Sequence, residues 1–236
     1  MKTLLSTMSA ALLLVASAAQ AADMTTTPAT PAANPLTQPW TGPYGGVPPW
    51  DQVKVEFLKP ALEAGMADQL AAIDRIANDP ATPTFANTIA ALERSSRMLD
   101  RVYTVAGVYQ STMSDEAVQA VERDMAPKLA AFSDQITQNE KLFARIAAVY
   151  ATRENSGLTP EQQRLTWLYY TDFVRQGAKL DAAAKKQLSD INQQLAGLYT
   201  SFGQNVLKDE NDGMLVIDKE ADLAGLPVLV RLAEKA

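Results

Sequence analysis

The distribution of proline divides this chain and limits its fold more than any other feature. Seven of the 13 prolines and three of the 11 glycines lie between residues 24 and 50, and only six prolines are spread over the residues that follow. Proline fixes φ and removes a backbone donor, so the first stretch cannot be regular helix, whereas the second can be. Beyond residue 50 the apolar side chains recur at three- and four-residue intervals, the period of a helix with one buried face. The chain therefore reads as an irregular leader followed by an all-α body of long antiparallel helices. No fixed-period repeat is present, which argues against a solenoid.

The stripes can be followed one by one. Leu62, Met66, Leu70, Ile73 and Ala77 predict a first helix with Pro60 near its start, ended by Asn78-Asp79-Pro80. A second should begin near Thr84 and carry Phe85, Ile89, Leu92, Leu99, Tyr103 and Ala106 on one stripe. Ser114, followed by Asp115 and Glu116, reads as the N-cap of a third, with acidic residues where the helix dipole favours them. Val118, Val121, Met125, Leu129, Phe132 and Ile136 follow, with a kink or boundary at Pro127, and Leu142, Phe143, Ile146 and Val149 form the next face. Thr159-Pro160-Glu161-Gln162 combines a cap, a proline at the first helical position and the partner of a capping box. It should open a helix bearing Leu165, Leu168, Tyr169 and Phe173 that Gly177 ends. The last long helix starts near Asp181 and runs through Leu188, Ile191, Leu195, Leu198, Phe202 and Val206 to a turn at Asp209–Gly213. Met214–Ile217 reads as a short extended segment, and Val228–Ala236 as the start of a helical pattern. Most residues of these stripes are expected to be core packing.

Ahead of the body, residues 1–21 have the three parts of a secretory signal in order. Lys2 supplies the charge, Ala10–Ala19 the apolar run, and Ala19-Gln20-Ala21 a small-x-small cleavage site that would leave Ala22 first. The apolar run is shorter than the roughly 20 residues that span a bilayer. The expected organisation is a signal peptide over 1–21, a Pro/Gly-rich leader and strap over 22–50, and the helical lobe over 51–236. The expected location is the periplasm, with no membrane association once the signal is removed. Trp40, Tyr44 and Trp50 give the strap apolar surface with which to lie against the folded body.

Composition excludes whole classes of chemistry. There is no histidine and no cysteine, so imidazole acid/base work, His- or Cys-ligated metal, thiol nucleophiles and disulfides are all absent. A net charge of −6 argues against general nucleic-acid binding. Glu116, Glu122 and Asp124 lie near one another but lack the histidines of a helical di-metal site. Asp209–Gly213 fails as a calcium loop: with Gly213 sixth, Lys208 and Lys219 stand where acidic ligands are needed. No Gly-rich phosphate-binding segment occurs. Ser95, Ser96 and Ser201 lack a visible base. The hydroxyls of Tyr103, Tyr109, Tyr150, Tyr169, Tyr170 and Tyr199 could reach a cleft, though core-forming helices account for them. No catalytic, cofactor-binding or metal-binding residue is assigned.

The order of the segments carries more information than any single motif. Asn34-Pro35-Leu36, then Gly45-Gly46-Val47-Pro48-Pro49-Trp50-Asp51, FLKPALEAGM (57–66), PTFANTIAALE (83–93), APKLAAFSDQITQNEKLF (126–143), DFVRQGAKLD (172–181) and LAGLP (223–227) follow one another. In that order and spacing they resemble the N-terminal region of bacterial peptidyl-dipeptidases, zinc metallopeptidases of the thimet oligopeptidase family. Val55-Glu56-Phe57 departs from the Pro-Glu-His frequent there, at what should be a helix entry.

The resemblance implies the helical N-terminal lobe of a two-lobed body whose lobes enclose a channel for short unstructured peptides. The family's zinc sits on a His-Glu-x-x-His helix completed by a further Glu, where the histidines bind the metal and the first Glu activates water. None of those positions falls within this chain, which is expected to be a truncated lobe, non-catalytic alone. Its implied partners are the missing C-terminal catalytic portion and, in the longer parent, zinc and an oligopeptide substrate that loses C-terminal dipeptides. The alternative is a self-sufficient exported helical binding protein, or a folded but inert remnant.

Overall fold

A computed structural model describes residues 33–217 and 219–228, and among them there are helices and no strands. The signal segment, with Ala19, Ala21 and Ala22, lies outside the described residues.

Helix α1 (Val55–Ala77) is the axis of the body. It starts a turn and a half before Pro60, so that proline lies inside the helix rather than at its start. Pro60 is exposed and its missing N–H would have reached back only to Glu56 in the first turn, where the loss disturbs least. Val55-Glu56-Phe57 is thus the entry turn of α1. The strap is fastened there: the Asn34 side chain accepts from the Leu36 N–H at 3.0 Å and donates to the Phe57 carbonyl at 2.8 Å. That clamp inserts Leu36, fully buried, between α1 and α3. Trp40 packs on the same core with the Arg101 guanidinium 5.5 Å from its ring centroid. Gly46, at φ +121°, brings its backbone so close to Trp40 that a Cβ would sit 2.8 Å from the Trp40 carbonyl oxygen.

The chain from Thr84 contains more than the single expected helix. Thr84 and Asn87 form a reciprocal capping box, at 3.2 and 2.7 Å, over a wide π-type turn, Phe85–Ile89. Helix α2 (Ala90–Glu93) then breaks at Arg94–Ser96, where the Ser95 hydroxyl donates to the Leu92 carbonyl, and α3 (Arg97–Thr112) follows. The break re-phases the stripe. Leu99, Val102, Val105, Ala106 and Tyr109 are buried, while Tyr103, expected on the apolar face, is exposed.

Helix α4 (Glu116–Thr137) is capped by Asp115, whose carboxylate accepts from the Val118 N–H at 2.9 Å, one residue later than Ser114. It runs through Pro127 without a boundary. Helices α5 (Glu140–Thr152) and α6 (Pro160–Arg175) pack together, and α6 opens on the Thr159/Gln162 capping box. Gly177, at φ +92°, supplies the left-handed residue just beyond the C-cap of α6.

Two apolar clusters lie along α1. One joins Leu36 and Val53 to Leu58, Ala61 and Leu62 of α1, the buried face of α3, and Val118, Met125 and Phe132 of α4. The other joins Ile73, Ile76 and Ala77 to Ile89, Leu92, Leu142, Ile146, Val149, Phe173 and Ala178. Between α1 and α3 the backbones nearly touch: a Cβ on Gly65 would lie 2.9 Å from the Leu99 Cα. Arg145, buried, closes the turn after α1 by donating to the Asp79 and Ala81 carbonyls at 2.6 and 2.9 Å.

Candidate functional site

Helix α7 (Ala182–Asp212) is the longest element and contributes no apolar residue to either cluster. It starts at the expected Asp181, whose side chain accepts from the Ala184 N–H at 2.8 Å, but it continues through Asp209–Asp212, where a turn was expected. What holds it to α4 is polar. Asn192 donates to the buried Asp134 carboxylate at 2.8 Å. The Gln204 side chain donates to the Gln119 carbonyl at 3.1 Å and to Glu122 at 3.0 Å, and accepts from Arg123 at 2.8 Å. At the near end the buried Lys185 pairs instead with Glu140 of α5, at 3.0 Å.

Seating α7 by its amides turns its apolar stripe outward. Ile191, Leu195, Leu198, Phe202 and Val206 are all exposed, with Leu198 at 65% and Phe202 at 69%, and Tyr199 lies beside them. The expectation that this stripe is core is therefore corrected for the described residues. At 100° per residue these positions fall within an arc about 100° wide, the width of an ordinary core-facing stripe, so periodicity alone could not tell them apart. The distinguishing signal was charge. From Ile191 to Leu207 the helix carries no charged residue, although a solvent-facing helix ordinarily has several. On the opposite, α4-facing side of α7, Tyr103, Gln110, Val121, Glu122 and Thr200 border a narrow cleft of about 120 Å³ between α3, α4 and α7. Beyond the charged end of the helix, Lys208–Asp212, and its Gly213 cap, Met214, Leu215 and Val216 are exposed as well. Burying one such side chain stabilises by about 1.5–3 kcal/mol, so the face as a whole is a substantial driving force for association.

The other residues singled out in the sequence do not converge on chemistry. Glu116 pairs with Arg123 at 2.6 Å, and Glu122 with Gln204. Asp124 lies between Lys59 at 2.7 Å and Lys128 at 3.0 Å, and Lys128 also reaches Glu63 at 3.1 Å. The hydrogen bond from Lys59, then that from Lys128, holds the Asp124 carboxyl below its ordinary value, and the bonds to Asp124 and Glu63 raise the Lys128 ammonium above its own. Ser95 and Ser201 bond carbonyls of their own helices, and Ser96 bonds the Asp100 carboxylate at the start of α3. Tyr109 donates to the Val53 carbonyl, and Tyr150 stacks on Tyr170. Tyr169 donates to Glu93 at 2.7 Å, and burial, then that bond, raises its hydroxyl. Only Tyr103 among the six borders the cleft. No group of three Asp or Glu side chains among the described residues is placed to hold an ion. With histidine and cysteine missing as well, this chain's donors do not fit zinc. No helix among the described residues is long and apolar enough to cross a membrane.

The all-helical body and the ordered segments agree with comparison to known proteins: the chain matches the N-terminal part of a thimet-oligopeptidase-like peptidase. It is 36% identical over 193 residues to a dipeptidyl carboxypeptidase of Escherichia coli (strain K12) and 35% identical over 193 residues to one of Salmonella typhimurium. It is 25% identical over 182 residues to oligopeptidase A of Haemophilus influenzae. These matches cover 82%, 82% and 77% of the chain, and it spans only 28%, 28% and 27% of the relatives' lengths. No protein-family model matches it.

Proposed function

We propose that this chain is the N-terminal lobe of an exported peptidase, forming one wall of a channel for short peptides and supplying none of the reacting groups. The observation that carries the reading is the 36% identity over 82% of the chain, set against 28% of the relative's length. The sequence contains no histidine and no cysteine, and among the described residues no three carboxylates are placed to hold an ion. The longer polypeptide would release dipeptides from the C-termini of oligopeptides, with any zinc held by sequence other than this. Export is proposed from the signal-like order of residues 1–21.

Immunocapture tests it. An antibody against residues 51–227 would be used to draw the native protein from a periplasmic extract, and the captured material incubated with a defined oligopeptide. Release of C-terminal dipeptides by captured material, and none by the purified 236-residue chain, is expected. Cleavage by the purified chain with no other polypeptide present would overturn the reading.

A further inference from the structure

Asp134 of α4 is 6% exposed, and only one of its carboxylate oxygens is engaged. Oδ1 accepts from the Asn192 amide, while Oδ2, buried as well, has no hydrogen-bond partner. Among the described residues no lysine or arginine pairs with Asp134. The buried Lys185 is taken by Glu140 at 3.0 Å and by the Gln138 carbonyl at 3.4 Å. One turn further along α4, the side-chain Nε2 of Gln138 is buried without an acceptor. Asp134 and Gln138 line one hollow of about 400 Å³ between α4 and α7, together with Ser189 and Gln193 of α7. Gln193 turns its amide nitrogen back on the Ser189 carbonyl and hydroxyl at 3.2 and 3.3 Å, which leaves its amide oxygen as a further acceptor.

A buried carboxylate met only by a neutral amide calls for a cation as well as a second donor. The unmet Gln138 nitrogen calls for an acceptor close to that cation. A bridging water would answer the hydrogen bonds but not the charge, and at about 30 Å³ it would fill a small part of the hollow. The walls are amides, a hydroxyl and a carboxylate with a single alanine, so the group received is polar. One residue combines an ammonium with a carbonyl oxygen across a single Cα: the first residue of a peptide. We infer that the hollow between α4 and α7 binds the amino terminus of a peptide. The ammonium donates to Asp134 Oδ2 and to the Gln193 amide oxygen, and the first carbonyl accepts from Gln138 Nε2. Asn192 is a positioning residue, because its bond to Oδ1 fixes the carboxylate. The assignment rests on the geometry of the hollow, and on the lobe reading only for short peptides as the source of the group.

The 236-residue chain, isotopically labelled at its backbone amides, would be titrated with glycylglycinamide, which has a free amino terminus and no carboxylate. N-acetyl-glycylglycinamide, whose terminus is blocked, and methylammonium, which has no carbonyl, are the comparison probes. Glycylglycinamide should move the amide signals of residues 131–139 and 189–193 and saturate by about 10 mM. Both comparison probes should bind at least about tenfold more weakly. Asp134→Asn keeps the oxygen that accepts from Asn192 but removes the charge, and should weaken glycylglycinamide at least about tenfold. Gln193→Leu, at a half-buried position, should weaken it in the same direction and carries the test if circular dichroism shows that the first variant loses its helices. Equal binding of the acetylated probe would overturn the assignment, because the ammonium would not be read. Equal binding of methylammonium would overturn it in favour of a site for any small cation. No localised shift up to about 10 mM would overturn the site itself and leave water in the hollow. None of these outcomes touches the lobe reading, which fails separately if the native protein is no larger than 25.5 kDa.

Discussion

The body around α1 and the α4–α7 pair are both helix against helix, yet they are held by opposite means. Around α1 the contact is apolar and close, to the point where Gly65 admits Leu99 with no room for a methyl group. Between α4 and α7 it is made by Asn192, Gln204 and Arg123, while Ile191, Leu195, Leu198, Phe202 and Val206 of α7 face away. Apolar burial is non-directional and scales with area, so it builds a self-sufficient core. Amide and charged hydrogen bonds add little net stability but set orientation. The first region folds the lobe, and the second aims a surface.

Substitutions can break that contrast. Ile146→Ala, in the fully buried cluster, should lower stability by about 2–5 kcal/mol in urea unfolding. Phe202→Ser, of comparable apolar loss, should change the short chain's stability by less than about 0.5 kcal/mol and reduce its binding of a hydrophobic dye. If the two cost the same, the α7 stripe is packed after all. Gly65→Ala should cost about 1–3 kcal/mol, because the α1 and α3 backbones must separate.

Asn192→Ala sharpens the comparison by acting on one side of it. Removing the amide strips the buried Asp134 carboxylate of its hydrogen bond, a local penalty of about 1–3 kcal/mol. Hydrogen exchange should quicken across α7 and stay unchanged in α1; uniform quickening would mean that the two regions form one cooperative unit.

The smallest effect belongs to the exposed Lys59–Asp124–Lys128–Glu63 cluster. Asp124 titrates below its ordinary value in the folded chain, so its contribution is present above the usual carboxylate range and is lost as pH falls through the depressed value. Lys128 titrates above its ordinary value, so its contribution is complete below that value and is lost as pH rises through the raised one. Asp124→Asn should flatten a slight acid limb in stability measured against pH, and salt should mask the difference.

Much of the fold was legible because local chemistry and tertiary structure agreed. Thr159, Asp181 and Gly177 mark their helix ends as cap and left-handed residues do anywhere. The misreadings have particular causes. Pro60 was placed near the start of the helix, and it stands a turn and a half inside α1, because Phe57 and its neighbours form an entry turn tied down by Asn34. Tyr103 was misplaced because the break at Arg94–Ser96 shifts the helical phase, which spacing measured across the break does not register. The α7 face was misread because an apolar stripe has the same period whether it is buried or exposed. No catalytic residue was assigned in the sequence, and the side chains that carried the strongest hints are engaged in local pairs and caps.

The central claim, that this lobe works as part of a longer exported protein, is met most directly by the native size in a periplasmic extract. An immunoblot with the antibody to residues 51–227 should show a band far larger than 25.5 kDa. A single band at the short chain's own mass would contradict the claim.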